Sequence, residues 1–379
     1  MTVRVLRAAA AAVFISTAAM VAFVPAVQAQ TATVSAHVGA LLQEAQAMAK
    51  AGNWRGAMAK VNEAEAAPNK TSADTAVISQ MKNFIAVSSG DASIGGAPGA
   101  KAKFANDYNA GRYRDVIADA DNLRKYNAFG PQEQLLVGQA YYKANDFAGC
   151  VRYTKTLGGS DTALELLARC AYEIGDDATQ RQALEQLVAR GGKPEHWKLL
   201  LKLGERARGL SDHNTLDINR LRLITMSSLM VKDDYISLAQ FALQFKLAAE
   251  AQAAMDKGVA SKVLTDDRSL RLLANAKALV AANSAAAAKT LAAANAAPQG
   301  DELVSVGENM IGEGKAKDAI GVIQNGMKKP LKDANNAQLR LGQAYLAAGQ
   351  KAEARAAFAK VKTPEKDSMV AHLWTLAAR

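Results

Sequence analysis

The feature that most constrains this chain is a short helical pattern that returns along most of its length. Its clearest copy, LGQAYLAAGQKAEARAAF at residues 341–358, has apolar residues at helical spacing on both sides of a turn at Gly349. Each half therefore predicts an amphipathic helix with one apolar stripe. Two such short helices cannot bury both stripes against each other, so the fold must supply neighbours that cover the remaining face.

The same pattern is repeated at 135–157 and at 303–326. In each copy a glycine lies within the first helix, a larger apolar residue follows three positions later, and a turn comes four positions beyond that. The small residue lets the partner helix approach closely, and the turn residue must tolerate left-handed geometry, which suits Gly and Asn. Along the chain, the predicted turns lie at residues 52, 111, 145, 175, about 210, 246, 283, 314 and 349.

Turn spacing and composition both favour an all-helical protein. After the first gap the turns recur about every 34 residues, and the helix-like segment 72–89 fills that first gap. Half of the residues are hydrophobic, yet only 6% are aromatic. Alanine is abundant, and it loses no side-chain entropy in a helix. No convincing run alternates with a period of two, so the sequence predicts an all-α fold.

The spacing, the small-then-large pattern and the G-x-x-Y pairs at Gly138/Tyr141 and Gly342/Tyr345 resemble tetratricopeptide (TPR) repeats. The run at 235–258 also resembles a segment of exported bacterial repeat proteins of unassigned function. The resemblance implies a right-handed α-solenoid of about nine TPR-like helical hairpins. In such a stack each hairpin covers the exposed stripe of its neighbour, and the row forms one continuous core.

In the resembled family, the first helix of each repeat lines a groove that holds extended peptides or partner helices. Carried over by register, the resemblance implies a peptide-binding groove at Lys101, Tyr108, Asn109, Gln139, Tyr142, Lys143 and Gln343. Polar, aromatic and cationic side chains together suit a peptide with acidic character. The alternative is that the two tyrosines pack between repeats and the other residues face solvent.

Composition shifts predict the boundaries along the chain. The Gly/Ser/Ala-rich stretch at 88–100 predicts a flexible joint, and the apolar side of the last segment predicts a cap over Phe358. The predicted organisation is a signal peptide at 1–29, an N-terminal helical hairpin plus an extra helix at 30–90, a flexible linker at 91–100, the TPR-like solenoid at 101–366 and a C-terminal capping helix at 367–379.

The N-terminus predicts export. Arg4 and Arg7 precede an apolar run that ends in small residues at Ala29, which is the pattern of a cleaved signal peptide. The alternative is an uncleaved membrane anchor, since the run is about long enough to span a bilayer. Removal of the two arginines lowers the formal net charge from +10 to +8. We expect a periplasmic protein that does not span the membrane after signal removal, with secretion as the alternative.

Two cysteines, Cys150 and Cys170, lie on consecutive predicted helices about ten residues on either side of Gly159-Ser160. Antiparallel packing of those helices places the two side chains at one level. In an oxidising compartment they could form a disulfide between adjacent repeats. The competing interpretation is a pair of small buried hydrophobic side chains, and the sequence leaves both open.

The residue types that catalysis and metal binding require are scattered. The four histidines show no metal-ligand spacing, and no nucleophile elbow occurs. GGAPGAK at 95–101 lacks the preceding strand of a phosphate loop. Paired carboxylates such as Asp176/Asp177 and Asp266/Asp267 stand at predicted helix starts, where they cap free N–H groups. The sequence therefore predicts no enzyme activity, no cofactor and no metal site.

The sequence indicates a class of function without naming a partner. We predict a non-enzymatic exported TPR scaffold or adaptor that mediates protein–protein interactions in the bacterial envelope, with a protein or peptide partner. The alternative is a solenoid that binds cell-wall glycan or polysaccharide. We expect no nucleic-acid partner, because the chain is predicted to be exported and no basic–aromatic motif occurs in it. The sequence does not indicate the pathway or the oligomeric state.

Overall fold

The computed structural model describes residues 33–379. The signal peptide predicted at 1–29 lies outside these residues. Within them all regular structure is helical, comprising nineteen α-helices and a short 3₁₀ turn at Ser227–Leu229. The all-α prediction is confirmed. The described chain divides into two compact units, one formed by residues up to 110 together with 121–128, the other by 111–120 and 129–379.

The first unit contains four complete helices. Their bounds are Ala36–Lys50 (α1), Trp54–Ala66 (α2), Ser72–Ser89 (α3) and Ala92–Asn109 (α4). Its core contains Val38 of α1, Val61 of α2 and Ile85 of α3, all of which are buried. The buried carboxylate of Asp74 accepts hydrogen bonds from the backbone N–H of Thr71 at 2.9 Å and of Ser35 at 2.8 Å. It therefore begins α3 and also ties the start of α1 to it.

The segment 91–100, predicted as a flexible linker, forms part of a packed helix in the structure. It lies in α4, which is kinked at Gly96, where φ is 56°. A Cβ at Gly95 would stand 2.6 Å from the Cα of Ala86, so the start of α4 lies directly against α3. The small residues that suggested flexibility allow this close helix contact instead. The boundary between the two units accordingly falls near residue 110 and not at 91–100.

The second unit holds the remaining helices, with α5 contributing residues to both units. Their bounds are Tyr113–Lys125 (α5), Pro131–Lys143 (α6), Phe147–Thr154 (α7), Asp161–Glu173 (α8), Asp177–Ala189 (α9), Pro194–Gly204 (α10), Asp212–Thr225 (α11), Lys232–Gln244 (α12), Ala248–Ala260 (α13), Asp267–Ala296 (α14), Asp301–Gly312 (α15), Ala316–Gly326 (α16), Ala334–Ala347 (α17), Lys351–Phe358 (α18) and Glu365–Ala377 (α19).

Eight of the nine predicted turns coincide with a residue of positive φ between two helices. Asn145 has φ 59°, Lys246 has φ 62°, and the six glycines in this set have φ between 70° and 80°. Left-handed geometry at these points reverses the chain without steric cost at glycine and at small cost at asparagine. The glycines are Gly52, Gly111, Gly175, Gly209, Gly314 and Gly349.

The ninth turn, predicted near Asn283, is wrong. The chain continues there as one helix, α14, which is 30 residues long. No glycine or proline lies within α14, and its second half is rich in alanine, the residue with the highest helix propensity. Residues 281–290 of this helix are all exposed. The alanine-rich stretch that follows Asn283 is helical as far as Ala296.

Glycines within the first helices allow the close packing that the repeated pattern predicts. A Cβ at Gly342 would lie 2.3 Å from the Phe358 ring of α18, and one at Gly307 would lie 2.4 Å from the Ile323 side chain of α16. Side chains essentially never approach so closely, so these two hairpins depend on the absence of a Cβ. The interlocked side chains form the core of each hairpin.

The last helix does more than cover the final hairpin. On α19, Trp374 packs 5.9 Å from Phe358, as a cap would. Yet α19 also packs against α9, α10 and α11, which precede it by more than a hundred residues. Asn214 of α11 donates a hydrogen bond to Asp367 at 2.9 Å. The second unit therefore returns on itself, and one core joins its middle hairpins to its C-terminal ones.

Candidate functional site

The predicted groove residues of α6 lie on an accessible, mixed aromatic and charged face. Tyr142 is half-buried, and its hydroxyl donates to a carboxylate oxygen of Glu173 on α8 at 3.1 Å. The guanidinium of Arg169, also on α8, stands 5.6 Å from the centre of the Tyr142 ring. Burial raises the pKa of the Tyr142 hydroxyl, and the bond to Glu173 raises it further. The tyrosine thus connects neighbouring hairpins and still presents an edge to solvent.

The other α6 candidates extend this face. Lys143 is exposed, and its ammonium stands 5.4 Å from the centre of the Tyr113 ring. Gln139 lies one helical turn before Lys143 and is half-buried. A cation that lies over an aromatic ring is held in place by the ring and keeps its positive charge. We name the surface formed by Tyr142, Lys143, Arg169 and Glu173 the α6/α8 face.

The three candidates on α4 belong to the first unit. There Lys101 and Asn109 are exposed and Tyr108 is half-buried. They form part of one helix, but the groove that the resemblance implies extends over both units. The structure therefore describes these three residues as a local polar surface of the first unit.

The seventh candidate, Gln343, does not line an open groove. It is 5% exposed, and its amide donates to a carboxylate oxygen of Asp217 at 2.8 Å. Its amide oxygen accepts from the guanidinium of Arg340 at 2.6 Å. Residues 337–344 of α17 are buried, and the Gln343 side chain is bonded to Asp217 of α11, so no peptide can occupy this position in the structure.

Gln343 belongs to a buried charged network that the sequence interpretation missed. The network connects helices α11, α13, α15 and α17, and we name it the polar clasp. Its members are Asp217, Arg220, Glu250, Glu308, Arg340 and Gln343.

The clasp is organised around two arginines. Arg340 is fully buried, and its guanidinium binds the Asp217 carboxylate in a bidentate manner. Its Nη1 donates to Oδ1, and its Nη2 donates to Oδ2 at 2.7 Å. Arg220 makes a second two-pronged bond to Glu250, with both contacts at 2.6 Å. Glu308 lies between the two, 2.9 Å from Arg220 and 3.1 Å from Arg340. Bidentate geometry of this kind is the strongest that an arginine offers.

Three carboxylates and two guanidiniums share this low-dielectric space. Burial by itself raises the pKa of Asp217, but Arg340 and Arg220 outweigh it, and the pKa of this carboxyl lies below its ordinary value. Burial opposes the charge of Arg220, yet Glu250 and Glu308 outweigh burial and hold the Arg220 pKa well above its ordinary value. Asp217 and Arg220 are therefore held in their charged forms, and each charged side chain of the clasp depends on its partners of opposite sign for its stability.

The sequence contains a signal for the clasp. In the two best copies of the repeated pattern, Arg340 occupies the position of Leu136, so a charge interrupts an apolar stripe. Asp217 and Arg220 likewise stand between Leu216 and Leu221. A charged residue at a position that should be buried predicts a buried partner of opposite charge. Pairing them required knowledge of which distant helices meet.

The two cysteines meet in the structure. Cys150 on α7 and Cys170 on α8 are joined as a disulfide, with their Cα atoms 6.0 Å apart. Both side chains are fully buried. The bond links consecutive hairpins directly beneath the α6/α8 face, since the same local core contains Tyr142.

The paired carboxylates act as helix caps. The Asp176 side chain accepts from the Thr179 N–H at 3.0 Å, and Asp266 accepts from the Ser269 N–H at 3.2 Å. The hydrogen bond from Thr179 lowers the pKa of Asp176. Between residues 33 and 379, His, Cys, Asp and Glu side chains form no group suited to hold a metal ion. No helix in that range is both long enough and apolar enough to cross a membrane.

Comparison with known proteins gives structural likenesses only. No protein-family profile matches the chain, and no curated protein matches it. Among solved structures, the chain is similar to the P58(IPK) TPR domain, with a sequence identity of 12% and a TM-score of 0.23. The alignment covers 90% of this chain and 78% of that chain. A TPR protein from Parabacteroides merdae shows 10% identity, coverage of 90% and 99%, and a TM-score of 0.19.

A third similar structure is the APC/C hetero-tetramer Cut9–Hcn1, with 10% identity, 86% of this chain and 66% of that chain covered, and a TM-score of 0.21. TM-scores this low do not establish a shared superhelical arrangement. The classification rests instead on the paired helices, their left-handed turns and the glycine contacts described above. The architecture is TPR-like. In this TPR-like chain, the α6/α8 face remains accessible, whereas the corresponding surface of α17 is closed by the clasp.

Proposed function

We propose that this protein is a non-enzymatic TPR-type scaffold that binds a protein partner in the bacterial envelope. The observation that carries the proposal is the α6/α8 face, where an arginine and a lysine stand over tyrosine rings and remain exposed. Tyrosine and arginine, together with tryptophan, are the residues enriched at the energetic centres of protein interfaces. Tyr172, next to Glu173, adds a further ring that is 53% exposed.

The carboxylates of the clasp and those at helix starts have structural tasks, which favours binding over catalysis. The buried carboxylates of the clasp are paired with arginines, and those at helix starts accept backbone hydrogen bonds. A general acid or base needs a pKa moved towards neutrality. The pKa values of Asp176 and Asp217 are instead lowered, away from neutrality.

Placement in the envelope is supported by two independent features. The N-terminal sequence has the pattern of an export signal. The buried Cys150–Cys170 disulfide is of a kind that persists in oxidising compartments such as the periplasm. Fractionation of cells that express the tagged chain tests this part, and recovery of the unprocessed chain in the cytoplasm would contradict it.

Site-specific photo-crosslinking tests the binding function. A photoreactive phenylalanine replaces Tyr142, and the matched control carries the same group at Ser284, on the exposed part of α14. The purified proteins are irradiated in envelope extract, and adducts are identified by mass spectrometry. We expect a protein adduct from position 142 that survives digestion of the cell wall and is absent at position 284.

Each other result of the crosslinking experiment argues against the proposal. An adduct that disappears after glycan digestion would instead indicate the glycan-binding alternative. The same adducts at both positions would show contact without a specific site. Absence of any adduct at position 142 would exclude the α6/α8 face as the binding surface.

A further inference from the structure

A second surface of the described chain has unused charge, and it lies between α12 and α14. A cleft of about 290 Å³ runs between these helices. Its apolar contributors are Ile236 and Leu272, both half-buried. Its polar contributors are Gln240, Arg268, Ser269, Arg271 and Asn275. The cleft thus combines an apolar floor with two cations and two side-chain amides.

The two cations are available for a ligand. Within residues 33–379, no carboxylate lies within ion-pair distance of the guanidinium of Arg268 or Arg271, and both residues are exposed. The carboxylate of the nearby Asp266 is bonded to other groups. It pairs with Lys232 at 2.7 Å and accepts from both the N–H and the hydroxyl of Ser269. This contrasts with the clasp, where each arginine is paired with carboxylates.

The spacing of these groups fits an acidic polypeptide. Arg268 and Arg271 are one helical turn apart, so their guanidiniums lie on the same side of α14. Asn275 continues that side by one more turn, and Gln240 faces it from α12. Arginine forks bind carboxylates bidentately, and amide side chains can pair with a peptide backbone. An apolar side chain between the carboxylates would contact Ile236 and Leu272.

We propose that the α12/α14 cleft binds an acidic segment of a partner protein, with two carboxylates on Arg268 and Arg271 and an apolar side chain on the floor between them. This inference rests on the proposed scaffold function and names the chemistry of one segment that the scaffold recognises. It concerns a surface separate from the α6/α8 face, so the two can be tested independently.

The test uses a defined probe, a fluorescein-labelled peptide of alternating glutamate and leucine, and measures its affinity for the full chain by fluorescence anisotropy. The variant R268Q/R271Q removes the two cleft charges. The matched control K198Q/K202Q removes two exposed charges from α10. We expect the cleft variant to weaken binding by about tenfold or more, as loss of charge-assisted bonds predicts, and the control by less than about twofold.

Two further measurements locate and classify the binding. Hydrogen exchange with the probe present should protect residues 236–240 and 268–275, and a peptide with serine in place of leucine should bind more weakly because the floor is then unused. Equal weakening by both double variants would show a bulk charge effect and overturn the inference. Absence of binding, or protection elsewhere, would also overturn it. In either case a crosslink at position 142 would leave the scaffold function standing.

Discussion

The tetrapeptide Gly-Gln-Ala-Tyr occurs at 138–141 in α6 and at 342–345 in α17, and its two copies lie in different surroundings. In both, the glycine allows close approach of the following helix, and the tyrosine is half-buried against the core. The glutamines differ. Gln139 is half-buried, whereas Gln343 is 5% exposed and bonded to Asp217. The same local sequence thus forms part of an open surface in one place and of a sealed contact in the other.

The difference is determined by residues outside the shared motif. Arg340 replaces the Leu136 of the first copy, and it requires a buried carboxylate that only α11 supplies. The first copy instead fixes its neighbouring hairpin covalently, through Cys150 and Cys170. In this chain, the glutamine of the second copy is closed off because a distant helix, α11, carries the carboxylate that Arg340 and Gln343 bind.

Replacement of Arg340 by leucine should give the largest effect, because it turns the second copy into the first at this position. It leaves Asp217 and Glu308 buried with Arg220 as their remaining cation, and an uncompensated buried charge costs about 3–5 kcal/mol. Chemical denaturation followed by circular dichroism measures the loss. The paired substitutions Gln343→Ala and Gln139→Ala provide the control, with a larger loss expected for Gln343. Stability of R340L within about 1 kcal/mol of the parent chain would show that the clasp is not stabilising.

Reduction of the disulfide beside the first copy should lower the free energy of unfolding by somewhat less than the substitution R340L does. The bond closes a loop with a sequence separation of 20, for which chain entropy predicts about 3 kcal/mol. Unfolding curves with and without reductant measure this, and the variant C150A/C170A controls for reductant effects because it should not respond. Two free thiols in the mass spectrum of native exported protein would contradict the disulfide.

The hairpin architecture could be predicted from the sequence, whereas the clasp could not. Turns at Gly175 or Gly349 are local, since the glycine and its flanking stripes decide them within one repeat. The failure at Asn283 is also local, because an alanine-rich helix without a breaker simply continues. Asp217 and Arg340, in contrast, are 123 positions apart, and no periodicity of either helix reports their contact. The unpaired arginines of α14 raise the same difficulty, since freedom from a partner is visible only in three dimensions.

Glycine substitutions should separate tight from loose hairpin packing. Gly342→Ala places a Cβ 2.3 Å from the Phe358 ring, and overpacking of this kind costs about 1–3 kcal/mol. At Gly138 the added Cβ meets the end of the Leu166 side chain at 3.0 Å, which can shift, so a smaller cost is expected. Gly321 on α16 has no neighbour within 4 Å, and its substitution should stabilise by up to about 1 kcal/mol. Thermal unfolding of the three variants measures this order, and an equal loss at all three would refute the packing argument.

Two histidines of the second unit should give small pH effects of opposite sign. The hydrogen bond to Glu185 raises the pKa of His372 above its ordinary value of 6.5, so His372 stabilises the fold below that pH, and this contribution is lost as the pH rises through the folded pKa. Burial lowers the pKa of His213, which stacks on Phe245 at 3.7 Å, so the unfolded chain takes up the proton first and stability falls as the pH drops below 6.5.

Relative to the parent chain, H372Q should therefore lose about 0.5 kcal/mol of unfolding free energy at pH 5.5, after allowance for solvent screening, while H213Q should become relatively more stable there. Denaturation at pH 5.5 and 8 measures both differences. If H372Q loses no stability at pH 5.5, the contact with Glu185 does not form in solution, and α19 is held against α9, α10 and α11 by apolar packing and by the Asn214–Asp367 hydrogen bond.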